Sequence, residues 1–128
     1  MVAKKFEDEN RPTKDTVARF KMLSPMLSSL LDEVREFSKK KPDGVLNKFK
    51  VATLNRTLKD IKDILSSDPS NQYLDLLDED SLPQNSDAVL VLGQFQAAMS
   101  HFKSKYYGNN GIHGYGWQTA KGFLPDTE

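Results

Sequence analysis

The chain has 128 residues, no net charge, 28% charged residues and no cysteine. That length fits one domain with its own core, and the lack of cysteine excludes disulfides, thiolate catalysis and Cys-ligated zinc. No run of about 18 apolar residues is present, so no membrane span is expected, and the charged N-terminus lacks the apolar stretch of a signal peptide. These features point to a cytoplasmic protein.

In chain order, residues 1–12 are polar and charged, include Pro12, and read as an extended N-terminal arm. A bundle domain follows over 13–107. Thr13 is placed to cap a helix beginning at Lys14. Val17, Phe20, Leu23, Leu27, Leu30, Leu31, Val34 and Phe37 then recur at helical spacing, which predicts one buried face. Pro25 lies within this run and predicts a kink or a two-piece helix on one axis, because proline lacks the amide hydrogen and crowds the preceding turn. Pro42-Asp43-Gly44 marks a turn.

A second long helix is predicted over about 45–65. Its core stripe is Val51, Leu54, Leu58, Ile61 and Leu65, extended backwards by Leu46 and Phe49. Asp68-Pro69 reads as a cap and N1 proline for a short helix through Tyr73, Leu74, Leu76 and Leu77. A third long helix is predicted from a cap at Ser86 to about Tyr107, with Leu92, Phe95, Met99, Phe102 and Tyr106 on one seam. Gly108 closes it.

The expected fold class is therefore all-α: a small antiparallel bundle of three long helical segments and one short helix. Residues 108–128 form an expected irregular Gly/aromatic C-terminal arm. Gly and Asn between 108 and 116 disfavour helix, while Ile112, Tyr115, Trp117 and Phe123 are large apolar groups that gain by burial. Trp117 is expected to be mostly buried, against the bundle or a partner.

These features suggest a protein-binding or regulatory module acting through helix faces and the arm. The expected contact residues are Trp117, Tyr115, Ile112 and Phe123 of the arm and Tyr107 at the helix end. Gly93 and Ala97 join them. With Ser100 and Ser104 they form a small-residue stripe on which another helix could approach closely, within the bundle or from a second copy. The expected partner is another protein or a second copy of this chain.

Charge is unevenly spread. Residues 1–62 hold 15 Lys and Arg against 9 Asp and Glu, and residues 63–128 hold 3 against 9. Lys39, Lys40 and Lys41, with Lys48, Lys50 and Arg56, make the best basic patch. With the tail aromatics it supports an alternative, contact with nucleic acid. No cofactor or metal is expected. His101 and His113 lack metal-ligand spacing. Gly111–Gly116 has neither a preceding strand nor a lysine, unlike a phosphate loop, and no nucleophile elbow occurs.

Overall fold

The computed structural model describes residues 10–126. Most of the arm expected over 1–12, and residues 127–128 of the tail, lie outside them. The elements are α1 (Lys14–Lys40), α2 (Lys48–Ile64), a 3-10 turn (Pro69–Tyr73), α3 (Asn85–Tyr106), β1 (Tyr107–Asn109), β2 (Tyr115–Thr119) and β3 (Gly122–Pro125). The three β-strands form one antiparallel sheet in the order β1-β2-β3.

The sheet overturns the all-α expectation: the chain is an α+β fold, mostly helical, and the tail is an ordered sheet in place of an irregular arm. The reason is legible in the residues. Tyr115, Trp117 and Thr119 alternate with Gly116 and Gln118, so large groups fall on one face of an extended strand. The glycines that disfavour helix turn the chain instead. Gly111, Gly114 and Gly122 all have positive φ, at 87°, 75° and 120°, where other residues rarely go. The β1–β2 loop is further held by the side-chain oxygen of Asn110, which accepts the His113 N–H at 2.7 Å. The two-residue β2–β3 connection is clasped by the Thr119 hydroxyl, which donates to the Gly122 carbonyl at 2.6 Å.

Helix α1 starts as its sequence indicates, with the Thr13 hydroxyl oxygen accepting the Thr16 N–H at 3.1 Å. It runs unbroken through Pro25 to Lys40. Proline costs it the bond to the carbonyl four residues earlier but not its continuity. Val17, Phe20, Leu23, Leu27, Leu31 and Val34 are buried. α1 is the shared partner of the other helices, packing against α3 on one side and α2 on the other. On α3 all five seam residues, Leu92 to Tyr106, are buried, as are Leu58 and Ile61 on α2.

Two details differ from the periodicity. Helix α2 begins only at Lys48, capped by Asn47, whose side-chain oxygen accepts the Lys50 N–H at 2.8 Å. Phe49, expected to extend the core stripe, is 79% exposed. It stands two residues from buried Val51, about 200° around the helix. The short helix expected after Pro69 is a single 3-10 turn followed by an extended strap that returns along α2 to α3. Its backbone is bonded elsewhere. Buried Asn55 of α2 accepts the Leu77 N–H at 3.0 Å and donates to the Leu77 carbonyl at 2.9 Å. Lys62 donates to the Leu74 carbonyl at 2.5 Å. A residue whose amide and carbonyl both go to a side chain has no helical bonds left to make.

The sheet sits where α1 begins and α3 ends. Trp117 is 2% exposed and belongs to the core. Its ring lies 4.9 Å from Phe20 of α1, 5.5 Å from Tyr107 and 6.3 Å from Phe102 of α3. Buried Pro12 accepts the Ala120 N–H at 3.0 Å, tying the β2–β3 turn to the start of α1.

Candidate functional site

A broad recess follows from the same helix geometry. An open groove of ≈ 630 Å³ lies between α1 and α2, bounded by Met22, Pro25, Met26, Arg56, Thr57 and Asp60. A hollow of ≈ 160 Å³ continues from Leu30 and Thr53 to Phe37, Phe49 and Lys50. Ser29, Thr53 and Thr57 are short at the places where the helices face each other, so the space between them stays unfilled. Met22 is 54% and Met26 46% exposed. These methionines are long, flexible apolar side chains suited to irregular contact surfaces. With Phe49 they make an apolar face that the described residues leave uncovered. Lys50 is set over the Phe37 ring, 4.3 Å from its centre.

The contact residues expected in the tail divide into two groups. Trp117 is spent on the chain's own core. Phe123 is half-buried and stacks on His113, ring centres 6.2 Å apart. Tyr107 is also half-buried. It stacks on Tyr115 at 6.1 Å, lies under the Lys103 ammonium at 4.6 Å and donates its hydroxyl to Asp126. That bond to the Asp126 carboxylate pushes the Tyr107 phenol above its ordinary value. Ile112, at the β1–β2 loop, is 85% exposed, and Tyr115 is 58% exposed.

Gly93 and Ala97 do not mark a close helix approach within the chain. A Cβ at Gly93 would meet nothing within 4 Å, and Ala97 is exposed. Each lies about 100–200° from the Leu92–Phe95 seam, so the small stripe faces outward. Among the basic residues, Lys39, Lys40, Lys41, Lys48 and Lys50 gather around the α1–α2 turn, all exposed, and Lys39 lies 3.7 Å from Glu36. Arg56 stands apart on the groove rim. The basic turn lies at the end of α1, whereas the tail aromatics pack beside Phe20 and Pro25, so the two are about 20–30 Å apart along the helix and form no common surface. His101 and His113 are both exposed, and among the described residues no three His, Asp or Glu side chains come together to hold a metal. No helix of the described residues is long and apolar enough to cross a membrane.

The sequence reading missed buried Asn55, whose signal was a lone amide beside the apolar stripe of α2. Asp68 caps the turn that follows it as expected, accepting the Ser70 N–H at 3.0 Å, and also accepts from Lys105 of α3 at 2.8 Å, a bond the sequence did not announce. Burial pushes the Asp68 carboxyl up, but the bonds from Lys105 and Ser70 outweigh it and hold the group below its ordinary 3.8. Both residues fix the strap rather than present chemistry to solvent. Comparison with protein-family models, with curated proteins and with solved structures finds no match to this chain.

Proposed function

We propose that this chain is a non-enzymatic protein-binding module working through its open α1–α2 face, with the exposed β1–β2 loop as a second contact. The observation that carries this reading is the uncovered set of Phe49, Met22 and Met26 beside a groove. Contiguous apolar surface of this kind marks interaction sites more often than idle surface. Ile112 and Tyr115 support the second contact. The test is affinity capture with the wild-type chain, with Phe49→Asp, and with Leu90→Asp as a control on the exposed side of α3. A protein, foreign or a differently tagged copy of this chain, is expected to be retained by the wild type and by Leu90→Asp and lost by Phe49→Asp. Equal capture profiles for all three refute the reading.

A second reading, nucleic-acid contact through the lysine end alone, draws on a different observation. Lys48 and Lys50 occupy the first turn of α2, which has no acidic residue. Positive charge there opposes the helix dipole, although Lys50 gains a contact over the Phe37 ring. Salt-sensitive retention on nucleic acid, abolished by Lys40→Glu with Lys48→Glu, is its expected sign; retention unaffected by those changes refutes it.

A further inference from the structure

The β1–β2 loop holds the chain's one Asn-Gly step, Asn110-Gly111. Every other asparagine is followed by a residue whose side chain stands beside the peptide nitrogen. Gly111 has none: a Cβ there would meet nothing within 4 Å, its φ is 87°, and it is exposed. Its backbone nitrogen is therefore open to approach. The group within its reach is the preceding side-chain amide, because this nitrogen and the Asn110 Cγ are the two ends that close a succinimide ring. The side chain is held with that carbon polarised. Asn110 Oδ1 accepts the His113 N–H at 2.7 Å and the Ile112 N–H at 3.1 Å. Attack on Cγ puts negative charge on this oxygen, and backbone N–H groups aimed at it are the arrangement that stabilises such charge. Among the described residues the Asn110 Nδ2 donates to no acceptor, so nothing retains the leaving group.

We propose that Asn110 is a self-modifying site, at which the Gly111 nitrogen closes on the Asn110 side chain and water completes the conversion of amide to acid without an enzyme. The nitrogen forms a bond to Cγ and gives up its proton to water. The bond from Cγ to Nδ2 breaks, and ammonia leaves with a proton returned by the solvent. Water then opens the succinimide, at Cγ to give aspartate or at the main-chain carbonyl to give isoaspartate. The Gly111 N–H donates to the Asn109 side-chain oxygen at 2.7 Å. A carboxamide oxygen is no base, so this bond opens to water before the proton is lost. The two products act differently on the loop. Aspartate offers the same oxygen to Ile112 and His113 with a charge added, and charge-assisted bonds are stronger. The loop then stands, with a carboxylate beside Ile112. Isoaspartate lengthens the main chain by one methylene, which breaks the Asn110 N–H bond to the Gly114 carbonyl, now 3.1 Å. Ile112 is 85% exposed in this loop, so both products change the surface around it. This chemistry is independent of what the loop contacts.

Peptide mapping by mass spectrometry tests the proposal on the full chain, held folded in warm, mildly alkaline buffer, with the same chain unfolded in urea as the reference for an unhindered peptide. Conversion in the folded chain is expected first at Asn110, with aspartate and isoaspartate forms separated by chromatography, before Asn47, Asn55, Asn71 or Asn85 changes. Gly111→Ala is expected to lose this conversion, because the added methyl shields the nitrogen. Its far-UV and Trp117 emission spectra should match the wild type, since that methyl lies in open space. A folded chain that keeps Asn110 intact after the unfolded chain has converted overturns the proposal. So does another asparagine converting first, or Gly111→Ala converting at the wild-type rate.

Discussion

Gly108 and Gly116 face each other across β1 and β2 in register, yet alanine should act oppositely at the two positions. A Cβ on Gly116 would lie 2.3 Å from the Leu124 carbonyl oxygen and 2.7 Å from both the Pro125 Cα and the Phe123 ring. Two of these three atoms are backbone of β3, so no rotamer change relieves them. Ordinary contact requires separations of about 3.4 Å or more, so β3 must move by roughly 1 Å, and the hydrogen bonds between β2 and β3 tolerate little of that. Overpacking against mobile side chains costs about 1–3 kcal/mol. Against backbone the upper end applies, so Gly116→Ala should lose about 3 kcal/mol. At Gly108 a Cβ would meet nothing within 4 Å and φ is not positive. Gly108→Ala should be neutral or gain up to about 1 kcal/mol from the lower entropy of the unfolded chain. Trp117, the single tryptophan, is next to Gly116 and provides the assay. Urea titration followed by its emission and by circular dichroism gives both stabilities. Equal stability of the two variants would refute the account of how the sheet is closed.

Three further outcomes follow from the strap and the sheet. Asn55→Ala leaves the Leu77 amide and carbonyl without their partners at a site where Leu77 is 6% exposed, and should cost about 2–4 kcal/mol; chemical denaturation that finds a loss under about 0.5 kcal/mol removes the strap's role. Asp68 is held ionised by Lys105 and Ser70 and its folded value is depressed, so its contribution is complete above the unfolded-chain value and is lost as pH falls through the folded one. The wild type should therefore lose stability below about pH 4 more steeply than Asp68→Asn, and parallel acid profiles of the two would count against the latch. Removing residues 108–128 takes Trp117 from between Phe20 and Phe102, and thermal melts should show a loss of at least about 3 kcal/mol, as for other buried aromatic deletions; an unchanged melting temperature would mean that the helical seams are complete without the sheet.

The long helices were legible because their signals are long. Five seam residues on α3 and six buried ones on α1 repeat one geometric rule, and no single exception weakens it. The sheet was hidden by its size. Its strands have three, five and four residues, so alternation had only Tyr115, Trp117 and Thr119 to show itself. The same glycines that ruled out helix are equally compatible with an irregular arm and with hairpin turns. Phe49 misled for a different reason. Hydrophobicity placed it with Leu46 and Val51, but its angular position about the helix excluded it, and that angle counts only once the helix start is fixed at Lys48. The strap left almost no trace. Its hydrogen bonds come from Asn55 and Lys62 on another element, and nothing in the local sequence of 74–80 announces partners more than ten residues away.

The placement of the aromatic residues separates stability from recognition on this molecule. Phe20, Phe102 and Trp117 form one cluster where α1, α3 and the sheet meet, and their apolar area is used inside the chain. Phe49 receives no such cover, although Phe37 lies within the same hollow and is itself half-buried. Moving Phe49 one or two positions along α2 would change its angle by about 100–200° and alter its exposure. A residue of this size left outward, beside two exposed methionines and a groove, is unfavourable for the isolated monomer in water. The stability of the fold does not account for it, since the core is filled by Val51, Leu54, Leu58 and Ile61 without it. Covering this face recovers that unfavourable exposure, whereas the outward stripe of α3 offers a single exposed large side chain, Leu90, beside Gly93 and Ala97, so covering it recovers less. Area thus ranks the α1–α2 face above the α3 stripe as the surface on which to look first for a partner.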